Sequence, residues 1–124
     1  MLGYALSEKL VVVENEKWAY ISLNQDELDK YQHQAGDTEG LVNYALSISG
    51  VNAAILLTHR NDLIRLSFRS KGNFAVNQIA QQSFGGGGHL NAAGGNSSLS
   101  MEETIHKLRK VMSPFVEELK SMND

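Results

Sequence analysis

The densest potential chemistry in this 124-residue sequence lies in one short segment, Gly85-Gly-Gly-Gly-His89-Leu-Asn-Ala-Ala-Gly-Gly95, which holds six of the chain's eleven glycines. Consecutive glycines permit positive φ and let backbone N–H groups approach a ligand without obstruction by Cβ. Amides arranged in that way form anion-binding concavities. His89 at the edge of the run adds a donor or a cation, and Ala92-Ala93 keep the surface that follows small. A flexible linker would mix Ser, Gly and Pro instead of ending in His-x-x-Ala-Ala-Gly. The segment lacks the Gly-Lys-Ser/Thr of a Walker loop and does not follow a strand as a dinucleotide fingerprint does, so ATPase and NAD-enzyme readings fall away.

A second set of chemical side chains precedes it. From Leu63 to Arg69, Ile64, Leu66 and Phe68 alternate with Arg65, Ser67 and Arg69. A strand with that period buries the first set and presents two guanidiniums flanking a hydroxyl on its other face. The planar fork of Arg69 suits bidentate contact with a phosphate. His89 has three roles open to it: metal ligand, general acid and phosphate donor. Donation to phosphate is favoured, because no carboxylate stands at a useful spacing from it. Asp29 and His33 at i and i+4 would share a helix face and could both reach one metal ion. The commoner reading of that pair is a solvated helix with acids near its N-terminus.

The elements that must position these residues are legible from pattern. Lys9–Val13 and Trp18–Leu23 read as a hairpin turning near Asn15. Asp26–His33 reads as a short surface helix with Leu28 and Tyr31 inward, and Asp37-Thr38 as the N-cap of a helix that Gly50 ends. Ala53–Leu57 is short and continuously apolar, which predicts a central strand covered on both faces. Asn61-Asp62 turns it into the Leu63–Arg69 strand. Asn73 is expected to cap a helix from Phe74 to about Ser83, directly before the glycine segment. Ser100-x-x-Glu103 is a capping box that opens a last helix, kinked at Pro114. The sum is one α/β domain: a mixed sheet of four or five strands flanked by helices.

Composition narrows the function classes. With 42% hydrophobic and 20% charged residues the chain has enough apolar material to fold. The absence of cysteine removes disulfides, thiolate zinc sites and a cysteine nucleophile, and fits a reducing, cytoplasmic setting. No apolar run is long enough for a membrane span, and no opening resembles a signal peptide. A net charge of -3 argues against bulk binding of duplex DNA and leaves room for a local basic patch.

Gly86-Gly-Gly-His-Leu-Asn-Ala-Ala-Gly94 resembles the GGGHxxAAG signature of the DHH-associated domain, the C-terminal accessory domain of the DHH phosphoesterase superfamily. Thr38–Asn43, the Ser67-x-Arg69-Ser70 strand end and Ile79-Ala80 before Phe84 are similar to the bacterial nano-RNase, phosphoadenosine-phosphate phosphatase and exopolyphosphatase-related branch. The likeness runs from about Val11 to Leu119. It implies a substrate-binding domain spanning 1–124 that grips short RNA, DNA or nucleotide phosphates through Arg69, Gly86, Gly87, Gly88 and His89, with Ser67 and Ser70 assisting. It further implies a separate N-terminal domain of the same protein that holds two manganese ions, since no Asp-His-His occurs here and this chain supplies no catalytic residue and no cofactor of its own. The resemblance leaves oligomeric state open. It also leaves an alternative, a non-enzymatic RNA-binding accessory domain of the kind that ends alanyl-tRNA synthetase.

Overall fold

In the computed structural model, residues 8–30 and 35–122 are described. The first hairpin pairs β1 (Leu10–Val13) antiparallel with β2 (Trp18–Leu23) through a 3-10 turn over Glu14–Glu16. Lys17 closes that turn in the left-handed region, at φ 61°. Two helices cross over, α1 (Gln25–Lys30) and α2 (Ala35–Ser47), and return the chain to β3 (Ala53–Arg60), parallel to β2. Helix α1 opens on a reciprocal cap: the Asn24 N–H donates to Glu27 Oε1 at 2.9 Å and the Glu27 N–H to Asn24 Oδ1 at 2.8 Å. Helix α2 starts at Ala35, two residues ahead of the expected Asp37-Thr38 cap. Tyr31 and His33 lie outside the described residues.

Asn61 and Asp62 both take positive φ, 55° and 64°, as a two-residue hairpin turn demands. The turn leads into β4 (Leu63–Ser70), antiparallel to β3. Helix α3 spans Val76–Phe84. Asn73 does not cap it: Ala75 holds the cap position without a side-chain bond, and the Val76 N–H donates to the Leu90 carbonyl at 3.0 Å instead. The Ser100/Glu103 capping box forms as expected at the start of α4 (Met101–Met112). Pro114 sits in a 3-10 turn, Ser113–Phe115, that joins α4 to α5 (Val116–Ser121).

The glycine segment does not form a loop. It folds into two further strands, β5 (Gly87–His89) and β6 (Ala92–Ser97), and completes a six-stranded sheet in the order β1-β2-β3-β4-β6-β5. The expected four or five strands are thus exceeded by strands made of glycine, alanine and a few polar residues, types that are depleted in strands or carry little preference for them.

Each face of the sheet has its own core. On one, Trp18, Ile55, Leu66, Phe68 and Ala93 pack with Phe74, Ile79, Phe84, Leu108, Met112 and Leu119 from the segments that include α3, α4 and α5. On the other, Ile21, Leu23, Ala54 and Leu56 pack with Leu28, Leu41, Val42 and Ala45 from α1 and α2. The second cluster draws its buried residues from β2, β3, α1 and α2 and none from β4, β5 or β6, although α2 also runs alongside β4. Among the described residues no helix is long and apolar enough to cross a membrane.

Candidate functional site

Strand register places the chemical residues of β4, β6 and β5 in rows. Arg69 lies opposite Ala92, and Ala92 opposite His89; Ser67 lies opposite Gly94, and Gly94 opposite Gly87. Residues directly opposite on neighbouring strands project to the same face. Arg69 and His89 therefore flank Ala92 on the face opposite the Phe68–Ala93 core, their Cα atoms about 10 Å apart across two strand spacings. The next row is small throughout. Phe68, Ala93 and Leu66, the residues between, point into the core.

The glycines divide by what a Cβ would meet. At Gly86 it would overlap the Gly94 carbonyl oxygen, and at Gly95 it would lie 2.7 Å from Phe84 Cβ; at both the backbone must approach closely for the strands to pack. Gly85 takes a left-handed φ of 62° to end α3, and the Gly86 N–H closes the helix by donating to Ala80 O at 3.0 Å. Gly88 combines both demands, with φ 146° and a Cβ position 2.7 Å from Ala92 O. Gly87 differs: its φ is ordinary and nothing lies within 4 Å of its Cβ position. Internal packing does not require glycine there.

The hairpin is held from β4 and from α3. The Ser70 N–H donates to Asn91 O at 3.1 Å, Asn91 Nδ2 donates to Ser70 Oγ at 2.9 Å and to Gly72 O at 3.1 Å, and the Val76 N–H takes Leu90 O. Ser70 Oγ itself donates to Phe74 O at 2.7 Å. Ser70 is thus buried, 5% exposed, on the face opposite Arg69. It fixes the hairpin and does not present a hydroxyl to the open face. Ser70→Ala is expected to lower stability by about 1–2 kcal/mol through the lost bonds and the orphaned Asn91 amide. A urea melt checks this. Asn91 was not among the expected residues, although an Asn in a two-residue turn between His89 and Ala92 is a hairpin signal.

Arg69 is half-buried, and its Nη1 donates to the Phe68 carbonyl at 2.8 Å, which pins the head of the side chain. Ser67 is also half-buried, while Arg65, Gly87 and His89 are exposed. A separate cleft of about 530 Å3, lined by Leu63, Phe84, Asn96, Leu99 and Lys107 among others, lies beyond the far end of the face. Among the described residues no three His, Asp or Glu side chains converge to hold a metal ion. The Asp29 carboxylate lies 3.6 Å from Arg60, and its expected partner His33 lies outside the described residues. The described residues do not fit a two-manganese centre. What they can do is receive an anion: a guanidinium and an imidazole stand either side of a floor with almost no side chains.

Fold and face together define an α/β domain with a glycine hairpin at one sheet edge. The chain belongs to the DHHA1 domain family, whose model matches residues 15–118. Over 76 residues it is 36% identical to the bifunctional oligoribonuclease and PAP phosphatase NrnA of Bacillus subtilis, covering 61% of this chain and 24% of that protein. An exopolyphosphatase-related protein from Bacteroides fragilis shares its fold with a TM-score of 0.90 and 38% identity, over 97% of this chain and 35% of that one. The chain thus spans about a quarter to a third of these relatives. The C-Ala domain of Aquifex aeolicus alanyl-tRNA synthetase has the same fold at 12% identity, with a TM-score of 0.57, over 77% of this chain and 92% of that domain.

Proposed function

We propose that this chain is the substrate-gripping domain of a cytoplasmic, metal-dependent phosphoesterase acting on short oligonucleotides or nucleotide phosphates. The observation that carries it is the Arg69–Ala92–His89 row, two donors on one open face beside a floor of Gly87, Gly94 and Ser67. Arg69 and His89 neutralise and orient a phosphate, and Gly87 lets the ligand backbone lie close to the sheet. Orientation and charge neutralisation are contributions a domain makes without bond-breaking chemistry of its own. Cleavage falls to a separate manganese-binding domain of the same protein. The activities that the B. subtilis relative is named for, on oligoribonucleotides and PAP, agree with a ligand of this size and charge.

The test is a polarisation titration of this chain with 5′-phosphorylated oligoribonucleotides of two to five residues, beside a long structured RNA. Saturable binding of the dinucleotide is expected, with log K falling against log salt at a slope of about −0.7, for the one phosphate that Arg69 and His89 hold. Tight, steeply salt-dependent binding of the long RNA with none of the short strands would replace this reading with an RNA-binding accessory role.

A further inference from the structure

The open face continues past the site just described. Arg65 sits two residues before Ser67 on β4, opposite Asn96 on β6 and Thr58 on β3, and so projects to the same face as Arg69. It is exposed, and among the described residues no hydrogen bond or ion pair is recorded for its guanidinium, whereas Arg69 is tied to Phe68 O. Its two cross-strand neighbours are uncharged, and none of the residues that β4, β5 and β6 place on this face is acidic. A chain of net charge -3 has thus gathered two arginines and a histidine on one strip of sheet.

The spacing along the strip is set by the strand. Four residues at about 3.4 Å each separate Arg65 from Arg69, roughly 14 Å, with Ser67 and Gly94 as the low ground between. Three backbone bonds of an extended chain span about 3.5 Å, so the six bonds between successive phosphorus atoms of a nucleic-acid strand span about 7 Å. Arg69 and Arg65 therefore stand about two phosphodiester repeats apart. Side chains stand roughly perpendicular to a sheet, so the heads keep this separation approximately.

We infer that Arg65 is a length-determining residue, gripping the third phosphate of a single strand whose first is held by Arg69 and His89. This rests on the phosphate-gripping reading above and deepens it: the preferred ligand is a strand with at least three phosphates. A 5′-phosphorylated dinucleotide, with two, ends short of Arg65. A 5′-phosphorylated trinucleotide reaches it.

The experiment measures Kd for 5′-phosphorylated oligoadenylates of two, three and four residues against this chain and its Arg65→Ala, Arg65→Lys, Arg69→Ala and His89→Ala variants, over a range of salt. Arg65→Ala is expected to leave dinucleotide binding within twofold of the parent and to weaken the trimer and tetramer about tenfold, the lower end for a lost charged hydrogen bond. It should also flatten the salt slope for the longer strands by about 0.7. Arg65→Lys should restore the slope, since the charge remains. Equal weakening at every length would make Arg65 a diffuse charge and overturn the inference, and so would no weakening at any length. If Arg69→Ala and His89→Ala weaken binding while Arg65→Ala does not, only this inference fails. If none of the three matters, the phosphate-gripping reading itself is wrong.

Discussion

Gly86→Ala is expected to break the β5–β6 hairpin and cost at least about 3 kcal/mol, while Gly87→Ala, at the next residue and the first of β5, leaves stability within about 0.5 kcal/mol. The contrast comes from geometry alone. A methyl at Gly86 would occupy the space of the Gly94 carbonyl, with Gly95 Cα only 2.7 Å away, and both obstacles are backbone. Side chains can rotate away from an intruding methyl, but a paired strand has to shift as a whole. At Gly87 the same methyl meets nothing within 4 Å and needs no unusual φ. Its cost appears in binding: it projects onto the floor beside the Arg69–Ala92–His89 row, and affinity for a 5′-phosphorylated dinucleotide should fall at least about tenfold, about 1.4 kcal/mol. Urea melts and titrations of the two variants check this together. Equal loss of stability in both would mean that Gly87 is a packing glycine after all, and normal ligand binding by Gly87→Ala would take the ligand off that floor.

That division also explains which parts of the molecule were legible in the amino-acid sequence. The Ser100/Glu103 box, the Asn61-Asp62 turn and the alternation of Leu63–Arg69 are local rules, in which a side chain bonds to its own neighbourhood or a period of two meets one buried face. All three appear as expected. The strand character of Gly87–His89 and Ala92–Ser97 is not local. Glycine has no preference for extended backbone, and these residues form strands because β4 offers a ladder and Phe84 presses on Gly95. The Asn73 cap failed for a related reason: the N–H of Val76 is taken by the carbonyl at the hairpin tip, a contact fourteen positions away in the chain. Of the site, Arg69, Ser67, Gly87 and His89 could be named from residue type, and register brings them together on one face. Ser70 followed Arg69 in the same motif, yet a period of two sends it to the other face, where it locks the hairpin.

Arg69→Ala and His89→Ala are each expected to weaken dinucleotide binding by about 1.5–3 kcal/mol, roughly 10- to 150-fold, the range for a lost hydrogen bond to a charged group. Their combination should cost clearly less than the sum. The two Cα atoms are about 10 Å apart across a single alanine, and on the proposed reading the guanidinium and the imidazole meet one phosphate from both sides. Groups that share a ligand atom couple, whereas groups on separate phosphates add within about 0.5 kcal/mol. Arg69→Lys keeps the charge and loses the fork, so it should recover the salt slope and only part of the affinity. Ala92→Leu supplies an independent probe of the same geometry. It removes no donor but fills the space in which the phosphate would sit, and it should cost as much affinity as either donor variant. Full additivity of Arg69→Ala and His89→Ala, with Ala92→Leu silent, would put the two donors on different phosphates. A single variant without effect would take that residue out of the grip.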